Sequence, residues 1–331
     1  MAGPGEFEFI RSKLAPLSAG AFGAADLTDD GAVLDLGPGE RLAVTADTLV
    51  EGRHFPIGED AGLAARKALR VNLSDLAAMG AKPFGYTLGV IWPRDGVQER
   101  ADGFVAGLAQ DQAVFGVRLF GGDTVVADAP WSIAVTAFGR LPAGSSLRRN
   151  RARAGDALIV TGTIGDAGLG LQLALGEYSP SNTADADQFR RRFQLPEPRI
   201  GSGLAVRGVA HAAIDISDGL LSEARHLAVE SGLGFEIDLE QIPLSAPARR
   251  WLDLQPDRAS AITQLASSGD DYELLLAVPS RKLAGLSHLL RQQEVPVTQV
   301  GQLTARDGDD PVIVTWKGRR IEAEHLGFTQ F

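Results

Sequence analysis

Apolar and polar positions alternate along this chain in two rhythms, which predict strands and helices in succession. Leu42 to Ala46 reads as a strand and Gly62 to Met79 as a helix. Tyr86 to Trp92 predicts a strand, Val97 to Phe115 a helix, and Val117 to Phe120 and Ser132 to Phe138 two further strands. Ala157 to Val160 is another strand, followed by a glycine-rich turn and a helix from about Leu169. The polar run Pro180 to Asp187 reads as a loop. Ala212 to Ile216 and Glu273 to Val278 predict strands, and a helix starts near Leu220. Interleaved strands and helices imply the α/β (α+β) class. The basic stretch Arg148 to Arg153 lacks apolar periodicity. It marks a boundary between an N-terminal α/β domain, 1–147, and a C-terminal α/β domain, 148–331.

Composition narrows the chemistry. The chain has 331 residues, 44% hydrophobic and 22% charged, which suits a soluble protein of two domains or one large one. It contains no cysteine, so disulfides, thiolate metal sites and a cysteine nucleophile are excluded. Met1 to Arg11 carries Glu6 and Glu8 and does not resemble a secretory signal, and no run approaches a membrane span. A cytoplasmic protein without a membrane partner is expected. The formal net charge of −10 argues against nucleic acid as a partner. It still permits phosphate ligands, provided metal cations stand between carboxylates and phosphate oxygens.

Acids recur at strand ends and turns. Thr28-Asp29-Asp30-Gly31 precedes an apolar run and suits a turn. Thr45-Ala46-Asp47-Thr48 ends a strand, where α/β proteins bind ligands, although a solvated terminus has the same composition. Asp75 lies on one helical stripe with Ala64, Ala68, Val71 and Met79, beside Asn72. A carboxylate there must be metal-bound, paired or hydrogen-bonded to the backbone. Phe120-Gly121-Gly122-Asp123-Thr124 follows a strand and allows either close backbone approach or a tight turn.

The second half repeats the theme. In Ile214-Asp215-Ile216-Ser217-Asp218-Gly219, Asp215 and Ser217 alternate with the apolar residues, and Ser217 or Asp218 could cap the next helix. Ser268-Gly269-Asp270-Asp271-Tyr272-Glu273 reads alone as an acidic turn. Thr161 to Gly170 is a glycine-rich loop without the Gly-Lys-Ser/Thr ending of a P-loop, and is read as a phosphate cradle or a close-packed helix entry. One arginine of the Arg148, Arg149, Arg151, Arg153 cluster could clamp a phosphate. His54, soon after a strand end, is a ligand contact or a surface histidine. No serine–histidine arrangement suggests a hydrolase. No general base and no covalent nucleophile is expected.

Taken together, these segments resemble the thiamine-monophosphate kinases, of the ATP-binding superfamily shared with aminoimidazole ribonucleotide synthetase and selenophosphate synthetase. The resemblance rests on Gly5-Glu6-Phe7, Asp29-Asp30, Thr45-Ala46-Asp47-Thr48 with His54-Phe55, and Val71-Asn72-Leu73-Ser74-Asp75-Leu76-Ala77-Ala78-Met79-Gly80-Ala81. It continues through Gly121-Gly122-Asp123-Thr124, Val160-Thr161-Gly162-Thr163, Ile214 to Gly219 and Asp270-Asp271-Tyr272-Glu273, in family order across nearly the whole chain. It implies the two-domain fold of aminoimidazole ribonucleotide synthetase, with N-terminal strands joining across a homodimer into one sheet or barrel. It further implies direct transfer of the ATP γ-phosphoryl group to thiamine monophosphate, the last step of thiamine diphosphate synthesis. By motif, several Mg²⁺ ions would be held by Asp30, Asp47, Asp75, Asp123 and Asp215, with Asp218 a further candidate. Thr45 and the carbonyl of Ala46 would add oxygen ligands. Gly122, Arg149 and Ser217 would contact ATP, while His54, Asp270 and Phe328 would line the thiamine phosphate pocket.

The chain departs from the family pattern in three places. Leu27-Thr28 replaces the usual Ile-Gly before the first acids, and Asp270 stands where the family often has Glu. The tail Gly327-Phe328-Thr329-Gln330-Phe331 keeps an aromatic residue but loses the phenol of Gly-Tyr-Asp-His-Phe. Two other functions remain open at this stage: an amidine-forming enzyme of the purine type, and a nucleotide-binding regulator without turnover.

Overall fold

The structure is a computed structural model that describes residues 8, 10–21, 24, 27, 32, 34–306 and 312–321. Asp30, the Gly5-Glu6-Phe7 motif and Phe328 with its tail lie outside the described residues. The chain divides into two compact units, Met1–Leu76 with Ala81–Gly144, and Ala77–Gly80 with Ser145–Phe331.

The first unit is built on a four-stranded sheet of β1 (Glu40–Val50), β2 (Lys82–Pro93), β3 (Arg118–Ala127) and β4 (Ser132–Pro142), in the order β1-β4-β2-β3. Helix α1 (Ala61–Ala78) links β1 to β2, and α2 (Val97–Phe115) links β2 to its parallel neighbour β3. One face of the sheet is closed by Tyr86, Leu88, Val90, Trp92, Ile133 and Val135, all buried. The rings of Trp92, Phe104 of α2 and Trp131 pack together there. The other face carries Leu42 and Val44 of β1, 39% and 56% exposed.

In the second unit the strands are β5 (Asp156–Thr161), β6 (Ala212–Asp215), β7 (Leu233–Asp238), β8 (Leu274–Pro279), β9 (Val297–Ala305), β10 (Val312–Trp316) and β11 (Arg319–Arg320). They form one sheet in the order β11-β10-β7-β9-β5-β8-β6. Every residue of β5 and β8 is buried. Leu158, Val160, Leu275 and Ala277 enter one apolar cluster, while Ala157, Ile159, Leu274, Leu276 and Val278 enter another. Burial on both faces explains why these strands read as continuous apolar runs. The helices of this unit are α3 (Asp166–Ala174), α4 (Thr183–Gln194), α5 (Ile200–Ala205), α6 (Leu220–Glu230), α7 (Ala246–Asp253), α8 (Arg258–Ser267) and α9 (Leu283–Arg291).

The structure corrects three sequence expectations. Thr45-Ala46-Asp47-Thr48 does not end a strand, because β1 runs on to Val50. The polar run Pro180 to Asp187 is not all loop: residues 183–187 open α4. The Asn182 side chain accepts from the Ala184 amide at 3.0 Å and caps the helix, while Phe189 and Phe193 bury its apolar side. Nor does a strand end at Phe120, because β3 continues through Gly121-Gly122-Asp123 to Ala127. A register shift opposite Tyr86/Thr87 absorbs Phe120, and Gly122 then pairs with Leu88. A Cβ at Gly122 would stand 1.9 Å from the Leu88 carbonyl oxygen, so this position requires glycine.

Candidate active site

Two acidic centres stand out, one in each unit. In the first, β1 places Thr45 and Asp47 two residues apart, so both face the helix-covered side of the sheet, in rows with buried Ala137 and Val135. The Thr45 hydroxyl donates to Asp75 Oδ2 of α1. Asp47 and Asp75 also share a hydrogen bond. Burial, the Asp75 charge and that hydrogen bond all raise the Asp47 pKa, to about 7. The two carboxyl groups therefore share a proton near neutrality. α1 is buried on almost every side, with Asn72 and Ser74 as inaccessible as its apolar residues. The apolar stripe thus marks Asp75 less sharply than its contacts with β1 do.

The other predicted residues of this unit are dispersed. Asp123 shares a row with Gly89, Ala134 and Thr48, three strands from β1 and on the face away from Asp47. Three strand spacings come to roughly 14 Å. Asp123 is exposed and accepts from the Thr124 amide at 2.8 Å. Ala46 lies on that open face as well. His54 Nδ1 accepts from the Val50 amide at 3.0 Å, so in the neutral ring Nε2 carries the proton. Among the described residues no group of three or more histidine and acidic side chains is drawn together closely enough to hold a metal. Two carboxyl groups and a hydroxyl are nonetheless hard oxygen donors of the kind Mg²⁺ takes, and a cation there would displace the proton that the raised Asp47 pKa retains.

The second centre forms where β6 ends. Asp215, the last residue of β6, is buried beside its register partner Leu274. Beyond it, residues 216–217 and 270–273 are zipped together. Asp270 N donates to Ser217 O at 2.8 Å, Tyr272 N to Ile216 O at 2.8 Å, and Ile216 N to Glu273 O at 2.7 Å. Ser217 and Asp218 do not cap α6, whose preceding residue Gly219 makes no side-chain cap. Instead Glu223, in the first turn of α6, reaches back and accepts from Ser217 Oγ and the Asp218 amide, both at 3.3 Å. Burial raises the Glu223 carboxyl to about 7, against the pull of the Asp218 amide and of Arg149. Burial also raises Asp218; His226 and Arg149 oppose the shift and the Asp270 charge adds to it. Exposed Arg149 is held by its carbonyl, which accepts from Ser231 Oγ at 2.8 Å at the end of α6. Arg149, Ser217, Asp218 and Asp270 are thus gathered within one unit.

The acidic segment 270–273 is more than a turn. Asp270 and Tyr272 have φ of 68° and 50°, in the left-handed region that non-glycine residues avoid. Asp271 is buried and accepts from Gly165 N at 2.9 Å, and burial drives its pKa well above the usual carboxylate range. Glu273, fully buried, accepts from Thr161 Oγ1 at 2.8 Å and from Arg192 and Arg199. The glycine-rich loop after β5 is therefore a packed support: a Cβ at Gly162 would fall 2.0 Å from Glu273 Oε1. Sequence reasoning passed over Glu223, Arg192 and Arg199. The signal for Glu223 was an acid in the first turn of a helix directly after the Ser-Asp-Gly segment.

Comparison with known proteins agrees with this geometry. Residues 28–141 match the family described as AIR synthase related protein, N-terminal domain, and residues 153–314 match its C-terminal domain. The thiamine-monophosphate kinase of Caulobacter vibrioides is 41% identical, over 99% of this chain and 91% of the relative. The crystal structure of thiamine-monophosphate kinase from Stenotrophomonas maltophilia K279a superposes with a TM-score of 0.79 at 35% identity, covering 89% of this chain and 91% of that one. AaThiL complexed with AMPPCP and TMP superposes with a TM-score of 0.76 at 27% identity, covering 91% of each chain. The chain belongs to the thiamine-monophosphate kinase family.

Proposed function

We propose that this protein transfers the γ-phosphoryl group of ATP to the phosphate of thiamine monophosphate, giving thiamine diphosphate and ADP. The observation that carries the reading is the near full-length likeness to thiamine-monophosphate kinases, together with AMPPCP and TMP in the AaThiL complex, which stand for ATP and thiamine monophosphate. A phosphate oxygen of the acceptor forms the new bond to the γ-phosphorus as the bond to the leaving ADP oxygen breaks. That oxygen is already anionic near neutrality, so no side chain has to remove a proton and no phosphoenzyme forms.

What the protein must supply is alignment and charge neutralisation. Thr45, Asp47 and Asp75 fit Mg²⁺ by their clustered oxygen donors, and the Ala46 carbonyl is assigned to the same role by motif. Asp30, Asp123, Asp215 and Asp218 are assigned to the same role by motif. Mg²⁺ there would neutralise phosphate charge, lowering the repulsion between two anionic reactants. Arg149 presents an exposed guanidinium beside Ser217 and Asp218 for the nucleotide phosphates, and Gly122 is assigned to the nucleotide by motif. His54 would donate from Nε2 to the thiamine phosphate, and Asp270 and Phe328 would line its pocket.

The protein would act as a homodimer. The open sheet face bearing Leu42 and Val44, and the edge position of β1, support pairing with a second copy. No described helix is long and apolar enough to cross a membrane, and we place the enzyme in the cytoplasm. The decisive assay incubates the pure protein with ATP, Mg²⁺ and thiamine monophosphate. Thiamine diphosphate and ADP in equal amounts are expected. ATP binding without product would point instead to a regulator.

A further inference from the structure

The segment carrying Asp270 alternates. Asp270 and Tyr272 are half-buried, while Asp271 and Glu273 between them point inward and are buried. The inward pair is held by an unusual concentration of donors. Arg199, one residue before α5, grips Glu273 with a two-pronged contact, Nε to Oε2 at 2.6 Å and Nη2 to Oε1 at 2.5 Å. Arg192 of α4 donates from Nη2 to Glu273 Oε1 at 2.9 Å. The same nitrogen reaches the Asp271 carbonyl at 3.3 Å and the Thr163 carbonyl at 3.4 Å. Burial opposes both guanidinium charges, but the neighbouring acids outweigh it and both pKa values are raised. The arginines stay charged, and Arg192 Nε is buried without a hydrogen-bond partner.

A buried ionic cluster of this kind adds little net stability, since desolvation offsets most of the attraction. What it does supply is direction. Two left-handed non-glycine residues in three positions persist only where the surroundings over-determine them. The Arg192–Glu273–Arg199 brace and the Asp271–Gly165 contact fix the residues on either side of Tyr272, and so fix where Asp270 points.

We infer that Arg192, Arg199 and Glu273 are positioning residues that set the Asp270 carboxylate for the thiamine phosphate end of the site. The inference rests on the function proposed above. Ser217, on the nucleotide side, meets the Asp270 amide only through its backbone carbonyl, and its hydroxyl is held separately by Glu223.

The test is steady-state kinetics on Arg199→Ala, Asp270→Asn and the double variant, in the full-length chain. Arg192 still meets Glu273 in Arg199→Ala, so the buried carboxylate keeps one cation. Arg199→Ala is expected to raise KM for thiamine monophosphate about fivefold, with KM for ATP within about twofold, as expected for a displaced contact group. Arg199→Lys should recover part of that loss, because it restores the charge but not the fork. Asp270→Asn should raise the same KM about tenfold, and the double variant should be no worse than Asp270→Asn alone, because Arg199 acts through Asp270. A folded Arg199→Ala with unchanged KM, or a double variant whose effects multiply, overturns the inference. A purely structural role would lower the folded fraction and apparent kcat and leave KM alone. If circular dichroism shows Arg199→Ala unfolded, Arg199→Lys carries the test, with about a twofold rise in KM expected and none overturning it. A wild-type protein that neither turns over nor binds thiamine monophosphate overturns the functional reading and takes this inference with it. An active wild type beside an unshifted variant overturns the inference alone.

Discussion

Two sets of acids in this molecule, one half-buried and one buried, live under opposite rules. In the second unit, Glu273 is met by Arg192 and Arg199, and its carboxylate is fully engaged by protein donors. In the first unit, Asp47 is met by another acid, and every influence resolved on it raises its pKa, to about 7. Glu273 is a finished contact. The Asp47–Asp75 pair is one that the protein completes with a proton, or with a cation that displaces it. The difference shows that counting acids says little about function. What separates Glu273 from Asp47 is the neighbour that dominates each: guanidinium groups for Glu273, a carboxyl group for Asp47.

The sharpest way to break the comparison is the same isosteric change in both centres. Asp75→Asn removes a proposed metal ligand and relieves acid–acid repulsion. It should lower kcat/KM by about 10³-fold, roughly 4 kcal/mol of transition-state stabilisation. Its stability in urea should stay at or above that of wild type. Glu273→Gln takes the shared carboxylate from two largely buried guanidinium groups, Arg199 keeping only Glu197, and should cost about 3 kcal/mol in the same urea titration. An Asp75→Asn protein that turns over normally at saturating Mg²⁺, or that loses as much stability as Glu273→Gln, would show that the two centres are alike.

A smaller effect sharpens the comparison through pH. Asp47 holds its proton up to about pH 7 in the folded state, against an ordinary value of 3.8. Folded protein therefore binds more protons than unfolded protein between those values. The contribution of Asp47 to stability falls as pH rises from 3.8 to about 7, and the deficit persists above. A cation at the pair displaces the proton and removes the deficit. The rise in Tm on adding Mg²⁺ should therefore be greater at about pH 8 than at about pH 6, and Asp47→Asn should flatten that difference. Calorimetry near pH 6 in two buffers of different ionisation enthalpy should reveal proton release on Mg²⁺ binding. Equal Tm shifts at both pH values, with no proton released, would remove the cation from this centre.

How much of this was legible in the sequence depended on how local the signal was. Helix α2 was bounded at Val97 and Phe115 because its apolar periodicity stops at a glycine on either side. β5 and β8 were visible because burial on both faces makes a strand continuously apolar. β7, β9 and β10 were not, because their burial is partial and their polar residues break the run. The start of α4 was hidden by polar residues on its solvent side, although Asn182 was a legible cap. At the site, Thr45, Asp47 and Asp75 could be nominated singly, but that Asp47 meets Asp75 across a strand and a helix is a tertiary fact. The same holds for Arg192 and Arg199, which lie 81 and 74 positions from Glu273. Asp123 shows the limit from the other side: its motif reads like those of Asp47 and Asp75, yet β3 carries it on the opposite face of the sheet.

Asp270 belongs to neither set of acids, and it gives the finest test. It is half-buried, its charge is felt by Asp218, and its φ of 68° places it where the backbone favours Asp or Asn over longer side chains. The family resemblance expects Glu here, so the shorter acid is a trade between backbone ease and reach. Asp270→Glu should lose about 1 kcal/mol or less of stability through the left-handed backbone. It should hold KM for thiamine monophosphate within about threefold of wild type, because the carboxylate survives one methylene further out while its segment stays braced. Urea titration and steady-state kinetics on this single variant would check both. A rise in KM as large as that of Asp270→Asn would mean that the exact position of the carboxylate, rather than its presence, governs binding. The brace behind it would then matter more than the choice between Asp and Glu.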